Sequence, residues 1–168
     1  MTRQKFLFNL IGFNLIWAAL VIIREPWTQA LALGFIAIHF LWLATAGESR
    51  RVASLMLIGA VIDGLLTRQG WFIFTPAVPW LPAWLILLWA CFACTLEHSL
   101  RWSLTRWPLA AALGAVAGPL SYFAGERFGA VSFGNDALAT FGLLSLIWAC
   151  ILGSIAVIYR RLGCLTDR

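Results

Sequence analysis

Six apolar runs follow one another in 168 residues, and the connections between them hold most of the charge. No feature constrains this chain more. About 20 helical residues cross a hydrocarbon layer, and backbone placed there must satisfy its own polar groups, which helices do. The runs are 6–23, 27–46, 52–66, 83–104, 109–124 and 138–159, the third and fifth being short. Composition agrees, with 62% hydrophobic and 11% charged residues. A soluble domain runs nearer one half and one quarter, and so few charges cannot cover so large an apolar surface. The sequence therefore predicts one all-α integral membrane domain over 1–168, a six-transmembrane-helix bundle. The count falls to five if the third or fifth run is re-entrant.

Basic residues orient the bundle. Arg3, Lys5, Arg50, Arg51, Arg101, Arg106, Arg160, Arg161 and Arg168 fall on one side and Arg24, Arg68 and Arg127 on the other. That bias places both termini in the cytoplasm. It also accounts for the +5 net charge without nucleic acid as a partner. The first run is long and lacks a small-x-small cleavage site, so it is expected to stay as a helix. Cys91, Cys94, Cys150 and Cys164 read as small buried hydrophobes. No nucleophile elbow, phosphate loop or dinucleotide fingerprint occurs, and no cofactor is called for.

Between the third and fourth runs, TRQGWFIFTPAVPWLP (67–82) is too aromatic for an aqueous loop. Trp71, Phe72, Phe74, Trp80 and Trp84 suit the headgroup layer, and Pro76, Pro79 and Pro82 prevent a long helix. The segment is expected to lie over the bundle as an aromatic interfacial cap; a plain aromatic belt is the alternative. The 126–136 connection belongs to the same, external side. No internal repeat supports an inverted-repeat transporter.

Ionisable groups at membrane depth are costly and face the bundle interior. Here they form two layers. The outer has Asp63, Arg68, Tyr122, Glu126 and Arg127, with Asp63 expected to pair with Arg127 and Glu126 with Arg68. This is either a structural ion-pair cluster or a ligand site under the cap, the arginines binding an anion. The inner layer has His39, Glu97 and His98, with Asn9 nearby. Glu97 stands four before Arg101, a favourable local pair; the sharper alternative is a proton relay or acid–base pair. Glu97 and His98 diverge by about a hundred degrees on a helix, unlike HExxH, so metal binding is set aside. Gly114, Gly118, Ser121 and Gly125 form a small-residue stripe for close helix packing.

The stretches GAVIDGLLTRQGWFIF, PAWLILLWACFACTLEHSLRW and GAVAGPLSYFAGERFG together resemble a family of small uncharacterised bacterial inner-membrane proteins, a domain of unknown function. The matching positions are Asp63, Gly64, Glu97, Ser99, Gly118, Pro119, Ser121, Tyr122, Gly125 and Arg127. Members of that family are often encoded near cyclopropane-fatty-acid-synthase-like enzymes, amine-oxidase-like flavoproteins and lipocalins. The resemblance implies a multi-pass protein of the bacterial inner membrane that handles membrane lipid, with a lipid-modifying enzyme as partner. Two other functions stay open: the substrate-binding component of a small-solute transporter, and an intramembrane enzyme using Glu97 with His39 or His98.

Overall fold

The computed structural model describes residues 1–78 and 80–164; Pro79 and Arg168 lie outside the described residues. Among the described residues there are six α-helices. Helix α1 (Arg3–Ala18) continues as a π-helical turn (Ala19–Ile23) and is followed by α2 (Pro26–Trp42), α3 (Glu48–Arg68), α4 (Ala83–Ala93), α5 (Trp107–Arg127) and α6 (Ala137–Arg161). Two short strands, β1 (Phe72–Ile73) and β2 (Ser132–Phe133), pair antiparallel with Phe72 opposite Phe133. That ladder ties the two connections at one end of the bundle together.

Among the described residues, three segments are long and apolar enough to cross a membrane: Arg3–Ile23, Trp107–Arg127 and Ala137–Arg161. The helix bounds read from the sequence depart from the structure chiefly at the fourth run. Helix α4 has 11 residues, roughly 16 Å at 1.5 Å per residue, where the sequence predicted helix to Leu104. Two side chains end it. The Thr95 hydroxyl donates to the Phe92 carbonyl at 2.6 Å, competing with the helical ladder. The Asn9 amide, from α1, donates to the Cys94 carbonyl at 3.0 Å, and its oxygen accepts from the Ser99 amide at 3.1 Å. The chain then runs through turns into a 3₁₀ helix (Arg101–Thr105). Cys94, Thr95, Leu96, Ser99 and Leu104 are all buried there.

The bundle has polar groups inside and apolar ones outside. Asn9, His39, Glu48, Asp63, Thr95 and Thr140 are buried, while Leu57, Ile58, Val61 and Leu65 of α3 lie exposed along one face. In the aromatic segment after α3, Phe72 and Phe74 are buried, while Ile73 between them and Trp80 are exposed. Phe72 stacks on Tyr122 with ring centroids 5.1 Å apart.

Glycines seat tryptophans where α3 and α4 meet α5 and α6. The Trp89 and Trp148 rings stack 5.0 Å apart and 9° from parallel. A Cβ on Gly59 would lie 2.1 Å from Trp89, and one on Gly118 2.1 Å from Trp148. The Gly114–Gly118 part of the stripe therefore packs on α6. Ser121 instead accepts a hydrogen bond from Trp17 Nε1 at 3.0 Å, and Gly125 has only Val131 and Val21 within 4 Å of where its Cβ would be. Glycine-to-alanine changes inside helices ordinarily gain about 1 kcal/mol. At Gly118 the sign reverses: Gly118→Ala lowers stability by about 1–3 kcal/mol through overpacking. Melting of the detergent-solubilised protein checks it, with Gly142→Ala as control, since a Cβ there meets nothing within 4 Å.

Candidate functional site

Polar side chains converge at both ends of α3. Near its C-terminal end Asp63 is 1% exposed. It accepts from Trp89 Nε1 at 2.7 Å, and the Tyr122 hydroxyl lies 2.8 Å from both carboxylate oxygens. Gly59 and Gly64 make this possible: they leave the face of α3 beside Asp63 bare, so Trp89 and Trp80 lie flat against it. The expected pairs Asp63–Arg127 and Glu126–Arg68 are absent among the described residues. Arg68, Glu126 and Arg127 are exposed, because their backbone positions fall on the outer faces of the last turns of α3 and α5. So the structure joins Asp63 to Tyr122 and leaves the other three candidates outside that contact.

Beside this pair runs a crevice of about 80 Å³. Its walls come from α1 (Phe13, Trp17, Val21), α4 (Trp84 to Phe92) and α5 (Ser121, Tyr122, Gly125), with Phe74, Ala130, Val131 and Trp148 closing it. Helices α1 and α5 flank it and are joined by the Trp17–Ser121 hydrogen bond. Apart from the Ser121 and Tyr122 hydroxyls and indole nitrogens, the lining is hydrocarbon and aromatic ring.

At the other end of α3 the inner layer is rearranged. His39 and His98 do not meet Glu97. Their Nε2 atoms lie 2.7 and 2.9 Å from Glu48 Oε1, and the rings are edge to face with centroids 4.8 Å apart. Glu97 points to Arg51, whose Nε and Nη2 both donate to it, the latter at 2.9 Å. Spacing had suggested Arg101; Arg51 reaches Glu97 because the turn after α4 swings that carboxylate toward α3. Thr45 links the two groups: its amide donates to Glu48 Oε2 at 2.7 Å, and its hydroxyl lies within 3.1 Å of Glu48 Oε2 and 2.9 Å of Glu97 Oε2.

Glu48 and Arg51 precede the apolar run that starts at Val52. Burial would raise the Glu48 pKa, but hydrogen bonds from His39, His98 and the Thr45 amide outweigh it and hold the carboxyl below the usual carboxylate range. Burial likewise opposes the charge on Arg51, and the bond to Glu97 reverses that, so its pKa is raised.

Glu48, Thr45, Trp89 and Trp148 were not singled out from the sequence. A signal for the first two existed: Thr45 and Glu48 have the T-x-x-E spacing of a capping box, and the Thr45 amide does donate to the Glu48 side chain.

A family model described as "Protein of unknown function (DUF2878)" matches residues 6–154. The chain belongs to this family. The match spans both polar clusters and the crevice, from Asn9 to Trp148. No curated protein and no solved structure matches the chain.

Proposed function

We propose that this DUF2878 protein is an integral membrane protein that holds the acyl portion of a membrane lipid in the crevice between α1, α4 and α5. The observation that carries this reading is the crevice itself: an almost wholly aromatic and aliphatic slot, flanked by α1 and α5, in a bundle whose outer faces are apolar. A narrow apolar slot favours hydrocarbon over a charged solute. Trp17, Ser121 and Tyr122 are the polar points that would fix a lipid's depth.

Six passes with both termini on the cytoplasmic side of a bacterial inner membrane fit this reading. Helix α4 would complete its pass together with residues 94–105, since irregular backbone is tolerated at membrane depth where protein surrounds it. The cap-side arginines Arg68 and Arg127 would meet a headgroup, and the lipid would be presented to a lipid-modifying partner enzyme. No observation favours a solute-binding role, because Asp63, Arg68 and Arg127 do not line the crevice. An acid–base role for Glu97 with either histidine loses its contact, as Glu97 bonds to Arg51.

Gly125→Leu tests the proposal. It puts a branched side chain into the slot without the close approach that forbids a side chain at Gly118. Native mass spectrometry of the detergent-purified protein with added phospholipid is expected to show retained lipid for the wild type. Gly125→Leu should show little, at an unchanged melting temperature. Equal retention by both would remove the crevice from the function.

A further inference from the structure

The end of α3 that carries Glu48 has a donor set that a lipid-holding role does not use. His39 comes from the last turn of α2, Glu48 opens α3, and His98 sits in the turn after α4. Their ligand atoms all lie within 4.8 Å of one another. The three residues are 0%, 1% and 8% exposed in that order.

The carboxylate is held in place. Thr45 donates to Oε2, both rings reach Oε1, and His98 also lies 3.2 Å from Oε2. Glu48 has no lysine or arginine partner among the described residues, since Arg51 is engaged by Glu97. A buried carboxylate needs a compensating cation. A proton on one ring would supply one, but that explains a single histidine. Here two rings aim the same nitrogen at the same oxygen. As the cluster stands, Glu48 Oε1 accepts from the Nε2–H of both rings; an ion would displace those protons, and the buried Nδ1 of His39, which has no hydrogen-bond partner, is the ring position free to take one.

We propose that His39, Glu48 and His98 bind one divalent transition-metal ion of the zinc or iron(II) class. Two imidazoles and a carboxylate are a donor set for such ions, with a further position left for water or another oxygen ligand. Magnesium and calcium prefer all-oxygen shells. A tetrahedral ion with bonds of ~2.1 Å keeps its donors roughly 3.4 Å apart. The 2.7 and 2.9 Å separations then open by roughly half an ångström, which rotation of the Glu48 carboxylate can supply. Glu97 stays outside the shell, on Arg51.

The test uses the full chain, purified in mild detergent with a histidine-free tag and stripped with chelator. Zn²⁺ is titrated by calorimetry and Co²⁺ by visible absorption. One equivalent of Zn²⁺ should bind, and it should displace the Co²⁺ bands where Mg²⁺ does not. His39→Asn and His98→Asn should each weaken Zn²⁺ binding on the order of 100-fold, at or above the 10–100-fold cost of losing an outer-shell partner. Cys150→Ser, on the exposed side of α6, should change nothing. Near-UV circular dichroism of the Trp89–Trp148 stack reports folding; if either histidine variant loses that signal, Glu48→Gln is titrated in its place with the same weakening expected. No saturable Zn²⁺ binding by the wild type overturns the proposal. So does undiminished binding by folded His98→Asn or Glu48→Gln, and the cluster then holds a proton only.

Discussion

Glu48→Ala, measured in chelator so that no metal contributes, lowers stability by about 3–5 kcal/mol, the usual cost of removing one partner from a buried ionic cluster. Alanine is the better helix former, so local propensity predicts the opposite sign. The loss comes from what the carboxylate leaves behind. His39 and His98 lose the oxygen to which both point, and the Thr45 amide loses its acceptor. His39 and His98 are buried and have little water to turn to, whereas Thr45 is exposed and can turn to solvent. Arg51→Ala is the comparison: its side chain is 20% exposed, and solvent softens the loss of its pair with Glu97. Thermal or denaturant unfolding in detergent ranks the two variants. A Glu48→Ala loss no larger than the roughly 0.5 kcal/mol of an ordinary surface change would mean that the histidines find other partners.

Asp63→Ala is expected to cost about 1–3 kcal/mol for each buried donor left unpaired. There are two, Trp89 Nε1 and the Tyr122 hydroxyl. Asp63→Asn keeps an accepting oxygen and should lose much less. The distinguishing measurement is a double-mutant cycle with Tyr122→Phe. If the Asp63–Tyr122 bond carries the effect, the second change costs little once the first is made. Additive losses would show that Asp63 acts through Trp89 alone.

Much of the helical frame is readable because it depends on runs of local sequence. The run read at 109–124 becomes Trp107–Arg127 and that at 138–159 becomes Ala137–Arg161, the charges at their ends being included because helix propensity does not stop where hydrophobicity does. The fourth run misled because Asn9, 85 positions away, takes the Cys94 carbonyl. No local reading contains that contact. Asp63 and Tyr122 belong to one layer by depth along their helices, but depth does not say which way a side chain turns. Hence the exposed Arg68 and Arg127 were grouped with them, while Trp89, an apolar residue by composition, was passed over as Asp63's donor. Glu48 was hidden among the charges of GESRR, in the connection between the second and third apolar runs.

The β1–β2 ladder has a mechanical consequence. It fastens the α3–α4 connection to the α5–α6 connection, and the 3₁₀ segment Arg101–Thr105 packs against both α5 and α6 at the far end. The two halves of the molecule are thus clamped top and bottom, with the stacked indoles as a rivet between. On the crevice side, the flank between α1 and α5 is fastened by two hydrogen bonds, Trp17 to Ser121 and Arg24 to the Phe128 carbonyl.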